Sequence, residues 1–197
     1  FTSMPVARTF AAPEDMNPSS PVMESHQRNP GGNARILETM TRYFRFPKNF
    51  EQMVFLSQVQ QGLAIKTAIE YWRSTKPRCM GTLYWQINDV YPVASWSSLD
   101  YGGQWKLLHH MARRFYLPVN VVAVPEGSRL LLKAINDTAA AAEIGLEVLA
   151  ADTSGRTRII ATAHVTVRPD KAVLATEIQL ADLQPNEFLF FSWSDAD

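Results

Sequence analysis

Gly81-Thr82-Leu83-Tyr84-Trp85-Gln86-Ile87-Asn88-Asp89 is the stretch on which the reading of this 197-residue chain turns. From Met80 to Ile87 the run is uncharged and rich in aromatic and β-branched residues, the composition of a strand covered on both faces. It ends in Trp, Gln, Asn and Asp, which sets an aromatic plate beside amide and carboxylate groups. In a parallel barrel the C-terminal end of a strand is where active sites sit. An indole packs on the apolar C–H face of a sugar while Asn88 and Asp89 hydrogen-bond its hydroxyls, so the set suits a neutral carbohydrate. The competing reading makes Trp85 a core aromatic and Asp89 a turn cap.

Working outward, a helix over residues 49–74 precedes the run. Met53, Leu56, Gln60, Leu63 and Thr67 follow one helical track, and Phe55, Val59, Ala68 and Trp72 widen it until Pro77. Before it, Ile36, Leu37, Met40, Tyr43 and Phe44 predict a helix over residues 34–46, with Asn33 as N-cap and Pro47 as stop. Residues 1–30 carry five prolines and no sustained period, which reads as a long irregular connection. After the run comes a serine- and aromatic-rich loop over residues 88–103, then a third helix over residues 105–115 closed by Pro118. From Val119 the helical period gives way to short β-rich runs at 119–124, 129–136, 142–150, 156–167, 172–179 and 188–193. Pro125-Glu126-Gly127, Asn136-Asp137, Asp152-Thr153-Ser154-Gly155, Arg168-Pro169-Asp170 and Gln184-Pro185-Asn186 separate them. Short antiparallel strands at this spacing predict an immunoglobulin-like sandwich.

Composition narrows the function classes. Nineteen basic residues balance nineteen acidic ones, so no global field draws the chain to nucleic acid or an anionic membrane. No apolar run approaches the ~20 residues of a membrane span. The single Cys79 excludes an internal disulfide and a multi-thiolate metal site, and His26, His109, His110 and His164 lack metal-ligand spacing. No cofactor is called for, and compartment is not legible. His26 has two readings, an approach to the site or a loop hydrogen bond. The chain begins with Phe1 and no leader-like segment, so its start reads as an internal cut.

The run through Asp89, followed by Tyr91-Pro92-Val93-Ala94-Ser95-Trp96-Ser97-Ser98-Leu99-Asp100-Tyr101-Gly102-Gly103, then Trp105-Lys106-Leu107-Leu108-His109 and Ala112-Arg113-Arg114-Phe115, resembles the last barrel strand and helix of β-mannosidases of glycoside hydrolase family 2. Ser20-Pro21-Val22-Met23-Glu24, His26-Gln27, Leu56-Ser57-Gln58, Ala64-Ile65-Lys66 and Glu70-Tyr71-Trp72-Arg73 resemble the same family, so the likeness runs from residue 1 to 118. It is weaker over the β-rich part. The resemblance implies an α/β portion at residues 1–117, the C-terminal part of a TIM (β/α)8 barrel, followed by an immunoglobulin-like β-sandwich at residues 118–197.

Phe1-Thr2-Ser3-Met4-Pro5 is similar to the end of the family's nucleophile segment. That likeness implies a nucleophilic Glu a few residues before Phe1, an acid/base Glu further upstream, and no catalytic residue in the chain itself. What remains for it is substrate binding by Trp85, Asn88, Asp89 and Trp96. The implied partners are a mannoside or manno-oligosaccharide substrate and the remainder of the parent polypeptide. The implied activity of that parent is a retaining exo-β-mannosidase. Two alternatives stay open: another specificity of the same family, exo-β-glucosaminidase or endo-β-mannosidase, and a non-catalytic carbohydrate-binding or interaction module. Against the module, Trp193 is the only Trp of the β-rich part.

Overall fold

The computed structural model describes residues 1–195. Its elements are α1 (Met4–Ala7), α2 (Pro21–Ser25), α3 (Gly32–Thr41), α4 (Phe50–Arg73), α5 (Leu107–Phe115) and six strands, β1 (Val119–Glu126), β2 (Arg129–Asn136), β3 (Ala142–Asp152), β4 (Thr157–Val167), β5 (Lys171–Gln179) and β6 (Glu187–Asp195). They fall into two compact units. One comprises Phe1–Thr67 and Leu83–Arg114, the other Ala68–Thr82 and the residues from Phe115 onward.

Local chemistry starts the helices of the first unit. Ser3 and Ser20 cap α1 and α2, each hydroxyl accepting an N–H three residues on and each followed within two residues by a proline. Asn49 Oδ1 accepts from Gln52 N at 2.9 Å ahead of α4. The expected cap of α3 is corrected: Gly31, at φ 69°, occupies that place, and Asn33 lies inside the helix. Its amide is fully used by Pro18 O, Met23 O and Gln27 Nε2, which tie residues 1–30 to α3. That segment is therefore a built structure of short helices and a 3-10 turn at Pro13–Asp15, and not an irregular connection. Phe1, Met23, Met40, Met53, Val54 and Ala94 close its core. The other side of α4 keeps Phe55 and Leu63 exposed.

A second correction concerns residues 80–87. They form no strand or ladder, and the pairing that follows is limited to isolated bridges, Asn88 to Leu99, Leu99 to Trp105 and Ala94 to Gln27. A strand is defined by its neighbour, and among the described residues none pairs with this run. The α/β expectation for residues 1–117 is thus met by helices alone among the described residues.

In the second unit, two three-stranded antiparallel sheets have the orders β1-β2-β5 and β4-β3-β6. Val121, Leu132, Ala134 and Ile178 from one and Ile144, Leu146, Val148 and Val167 from the other form one core cluster, so the sheets pack as a sandwich. Each fully buried Leu or Ile there contributes roughly 2 kcal/mol. Turn residues sit where the backbone needs them: Gly127, Gly155, Asp170 and Asn186 all have positive φ. Asn136, fully buried, donates to Ala140 O and Val167 O and accepts from Thr138, which fixes the β2–β3 turn. β6 is an edge strand whose Leu189, Phe191 and Trp193 turn to the core while Phe188 and Phe190 face outward.

Two ionic features brace this unit. Arg73, at the end of α4, donates to Phe115 O, to Leu117 O at 2.6 Å and to Asp137 Oδ2 at 2.9 Å, and Lys76 Nζ lies 2.7 Å from Asp137 Oδ1. At the β3–β4 turn, hydrogen bonds from the Ser154 hydroxyl and from Arg156 hold the Asp152 carboxyl at about 2. A carboxyl depressed in the folded state stabilises fully above its ordinary 3.8, and that contribution is lost as pH falls through about 2. An NMR titration of Asp152 should therefore inflect near 2, and Ser154→Ala should move it up. An inflection already at 3.8 would contradict this account of the turn.

Candidate functional site

All four residues expected at the site belong to the first unit, and the structure treats them differently. Trp85 is 74% exposed and Trp96 44%. Asn88 is exposed, whereas the Asp89 side chain is only 1% exposed. Trp85, Asn88 and Asp89 line one cavity of about 590 Å³ together with Arg28, Tyr91 and Ser95. Trp96 lines a second, of about 270 Å³, with Gln27, Arg35, Gln60 and Gln61. Ser95 borders both.

The segment bearing Trp85 is pinned from the serine loop. Gln86 O accepts from Ser98 N at 3.0 Å and Ile87 O from Leu99 N at 2.7 Å. The Ser98 hydroxyl, wholly buried, donates to Ile87 O and also meets Tyr84 Oη at 2.9 Å and His109 Nδ1 at 3.0 Å. Burial, reinforced by His110 alongside, holds His109 below its ordinary value, so near neutrality it is an uncharged hydrogen-bonding partner. The Trp85–Gln86 peptide bond is cis.

Asp89 sits at the centre of a buried polar cluster. Ser95 Oγ donates to Oδ1, Ser97 Oγ to Oδ2 at 2.6 Å, and Lys106 Nζ lies 3.5 Å from Oδ2 and donates to Ser97 Oγ at 2.7 Å. The Lys106 side chain is 0% exposed. Burial pulls its ammonium below the ordinary value, while Asp89 and then Asp100 oppose that pull. Breaking such a pair costs about 3 to 5 kcal/mol, because a lone buried charge remains.

Carboxylate, hydroxyls and ammonium satisfy one another, and the cavity is faced by the exposed Trp85 indole and by Asn88, whose Nδ2 donates to Asp89 O at 3.2 Å, with Arg28 and Tyr91 beside them. An indole face and an amide are groups that suit a neutral polyol. Among the described residues no His, Cys, Asp and Glu group could hold a metal ion, and no helix is long and apolar enough to cross a membrane. His26 spends its Nδ1 on Pro92 O at 2.6 Å and stacks on Phe10, which is the loop hydrogen bond among its two readings.

No family model matches the chain. It is 32% identical over 150 residues to the β-mannosidase of Capra hircus, an alignment taking in 70% of this chain and 17% of that protein. The crystal structure of β-D-mannosidase from Dictyoglomus thermophilum superposes with a TM-score of 0.92 at 28% identity, over 98% of this chain and 24% of that one. The chain is similar to part of the β-mannosidases. Its fold alone is shared with an exo-chitosanase of Amycolatopsis orientalis, at a TM-score of 0.80 and 16% identity over the whole chain and 24% of the other. The chain thus spans about a sixth of the curated β-mannosidases it matches.

At the Asp89 cluster, the residues missed by reading the sequence are Lys106, Ser95 and Ser97. A signal existed. Lys106 stands among Trp105, Leu107 and Leu108, where a cation is either exposed or paired, and Ser95-Trp96-Ser97 places two hydroxyls around one indole.

Proposed function

We propose that this chain is part of a retaining exo-β-mannosidase of glycoside hydrolase family 2, which hydrolyses terminal non-reducing β-D-mannose residues. On this reading residues 1–117 are the C-terminal part of the catalytic barrel and residues 118–197 an immunoglobulin-like domain. Residues 196 and 197 lie outside the described residues. The observation that carries the reading is the 28%-identical superposition on a β-D-mannosidase over 98% of the chain. It is supported by an exposed indole and amide at the rim of one cavity.

Trp85 is the platform for the sugar, Asn88 its hydroxyl partner, Asp89 the anchor beneath them and Trp96 a second apolar wall. Retaining hydrolysis needs two carboxyl groups about 5 to 5.5 Å apart, one protonating the leaving oxygen and one attacking the anomeric carbon. Both are assigned to other parts of the parent polypeptide, and this chain supplies the plate and the amide that orient the ring.

Aryl β-mannoside turnover by the full-length protein, set against turnover by the purified 197-residue chain, tests the assignment. Activity is expected in the first and none in the second. Turnover by the isolated chain would overturn the division of roles, and a full-length protein selective for an aryl β-glucosaminide would replace the substrate.

A further inference from the structure

We propose that Lys106 is a positioning residue for Trp96, acting through Ser97 and Asp89 without touching the ligand. Ser95 and Ser97 bracket the indole in sequence, and both hydroxyls donate to the one buried carboxylate. A serine hydroxyl rotates freely and chooses among acceptors. With the Lys106 ammonium donating to Ser97 Oγ at 2.7 Å, a lone pair of that oxygen is taken and its proton is directed to Asp89 Oδ2. Ser97 N then donates to Ser95 Oγ at 3.0 Å, which closes the bracket.

From the other side, Gln61 Nε2 of α4 donates to the Trp96 carbonyl at 2.8 Å. The backbone of residues 95–97 is therefore held on two sides while the indole itself stays 44% exposed. Ser95, one member of this network, borders both the Trp85 cavity and the Trp96 cavity, and Asp89 lines the first. The spacing of the two aromatic plates is set by this network. This inference rests on the glycoside reading above for what the plates hold, and on the geometry alone for what fixes them.

Fluorine NMR of the 197-residue chain labelled with 5-fluorotryptophan tests it, since its five tryptophans give five lines assignable by single Trp→Phe changes. Lys106→Met should shift or broaden the Trp96 line and leave Trp193, in the sandwich, unchanged. Ser97→Ala, which removes only the relay hydroxyl, should move the same line; it decides the matter if Lys106→Met collapses all five. The Asp89→Asn/Lys106→Met pair should displace Trp96 no further than Asp89→Asn alone, because Lys106 acts through that carboxylate. An unmoved Trp96 line in Ser97→Ala, or additive displacements in the pair, would overturn the proposal.

In the full-length protein, Ser97→Ala should raise KM more than it lowers kcat, which a purely structural serine would not do in the folded fraction. Absence of glycosidase activity from the unsubstituted full-length protein would remove the glycoside reading and leave the fluorine result to stand or fall alone.

Discussion

Replacing Trp85 by alanine in the full-length protein is expected to lower kcat/KM toward an aryl β-mannoside by roughly 10- to 100-fold, the equivalent of about 1 to 3 kcal/mol of lost stacking. Little change in melting temperature should accompany it. The side chain is 74% exposed, so truncation removes few packing contacts from this chain. A plate that fits the flattened, oxocarbenium-like ring better than the ground-state sugar lowers kcat when lost as well as raising KM. Near-normal kcat/KM would remove Trp85 from the site. A large fall in melting temperature with normal kinetics in the folded fraction would return it to the role of a core aromatic.

Arg73→Met is expected to destabilise the second unit by about 3 kcal/mol or more, the cost of leaving a buried charge system without one partner. For a unit of this size that corresponds to a fall of roughly 10 °C or more in its calorimetric transition. One guanidinium holds two carbonyls, Phe115 O and Leu117 O, together with the Asp137 carboxylate, and its side chain is 4% exposed. Methionine restores the volume of the stem and none of the donors. Arg73→Lys should recover only part of the loss, since an ammonium lacks the planar fork that spans three acceptors. A transition within about 2 °C of the unsubstituted chain would show that the end of α4 is fixed by packing and not by this fork.

The sandwich was legible because its turns announce themselves. Gly127, Gly155, Asp170 and Asn186 all lie in stretches read as turns and all adopt positive φ, so strand ends agree with the sequence reading to within one or two residues. The first unit was less so. An uncharged, β-branched run such as residues 80–87 has strand composition, but composition does not say whether a neighbouring edge is present. At the candidate site, Trp85 and Asn88, both exposed, were recognisable as types. What Asp89 does was not, since its partners Ser95, Ser97 and Lys106 are brought to it by the loop and not by any spacing a sequence displays. Asn33 was missed for the same reason, its amide answering carbonyls at Pro18 and Met23.

Strand β6 carries a cost that lies outside the native fold. Glu187-Phe188-Leu189-Phe190-Phe191-Ser192-Trp193 is apolar on both of its faces and has one unpaired backbone edge in the sheet β4-β3-β6. Such a segment, with high β-propensity, little charge and no proline, templates cross-β stacking whenever it is released. The four phenylalanine and leucine side chains that fill and border the sandwich are therefore expected to make the unfolded chain prone to assemble, with concentration as the controlling variable in refolding. Yield should fall with chain concentration even under conditions in which the folded molecule is stable.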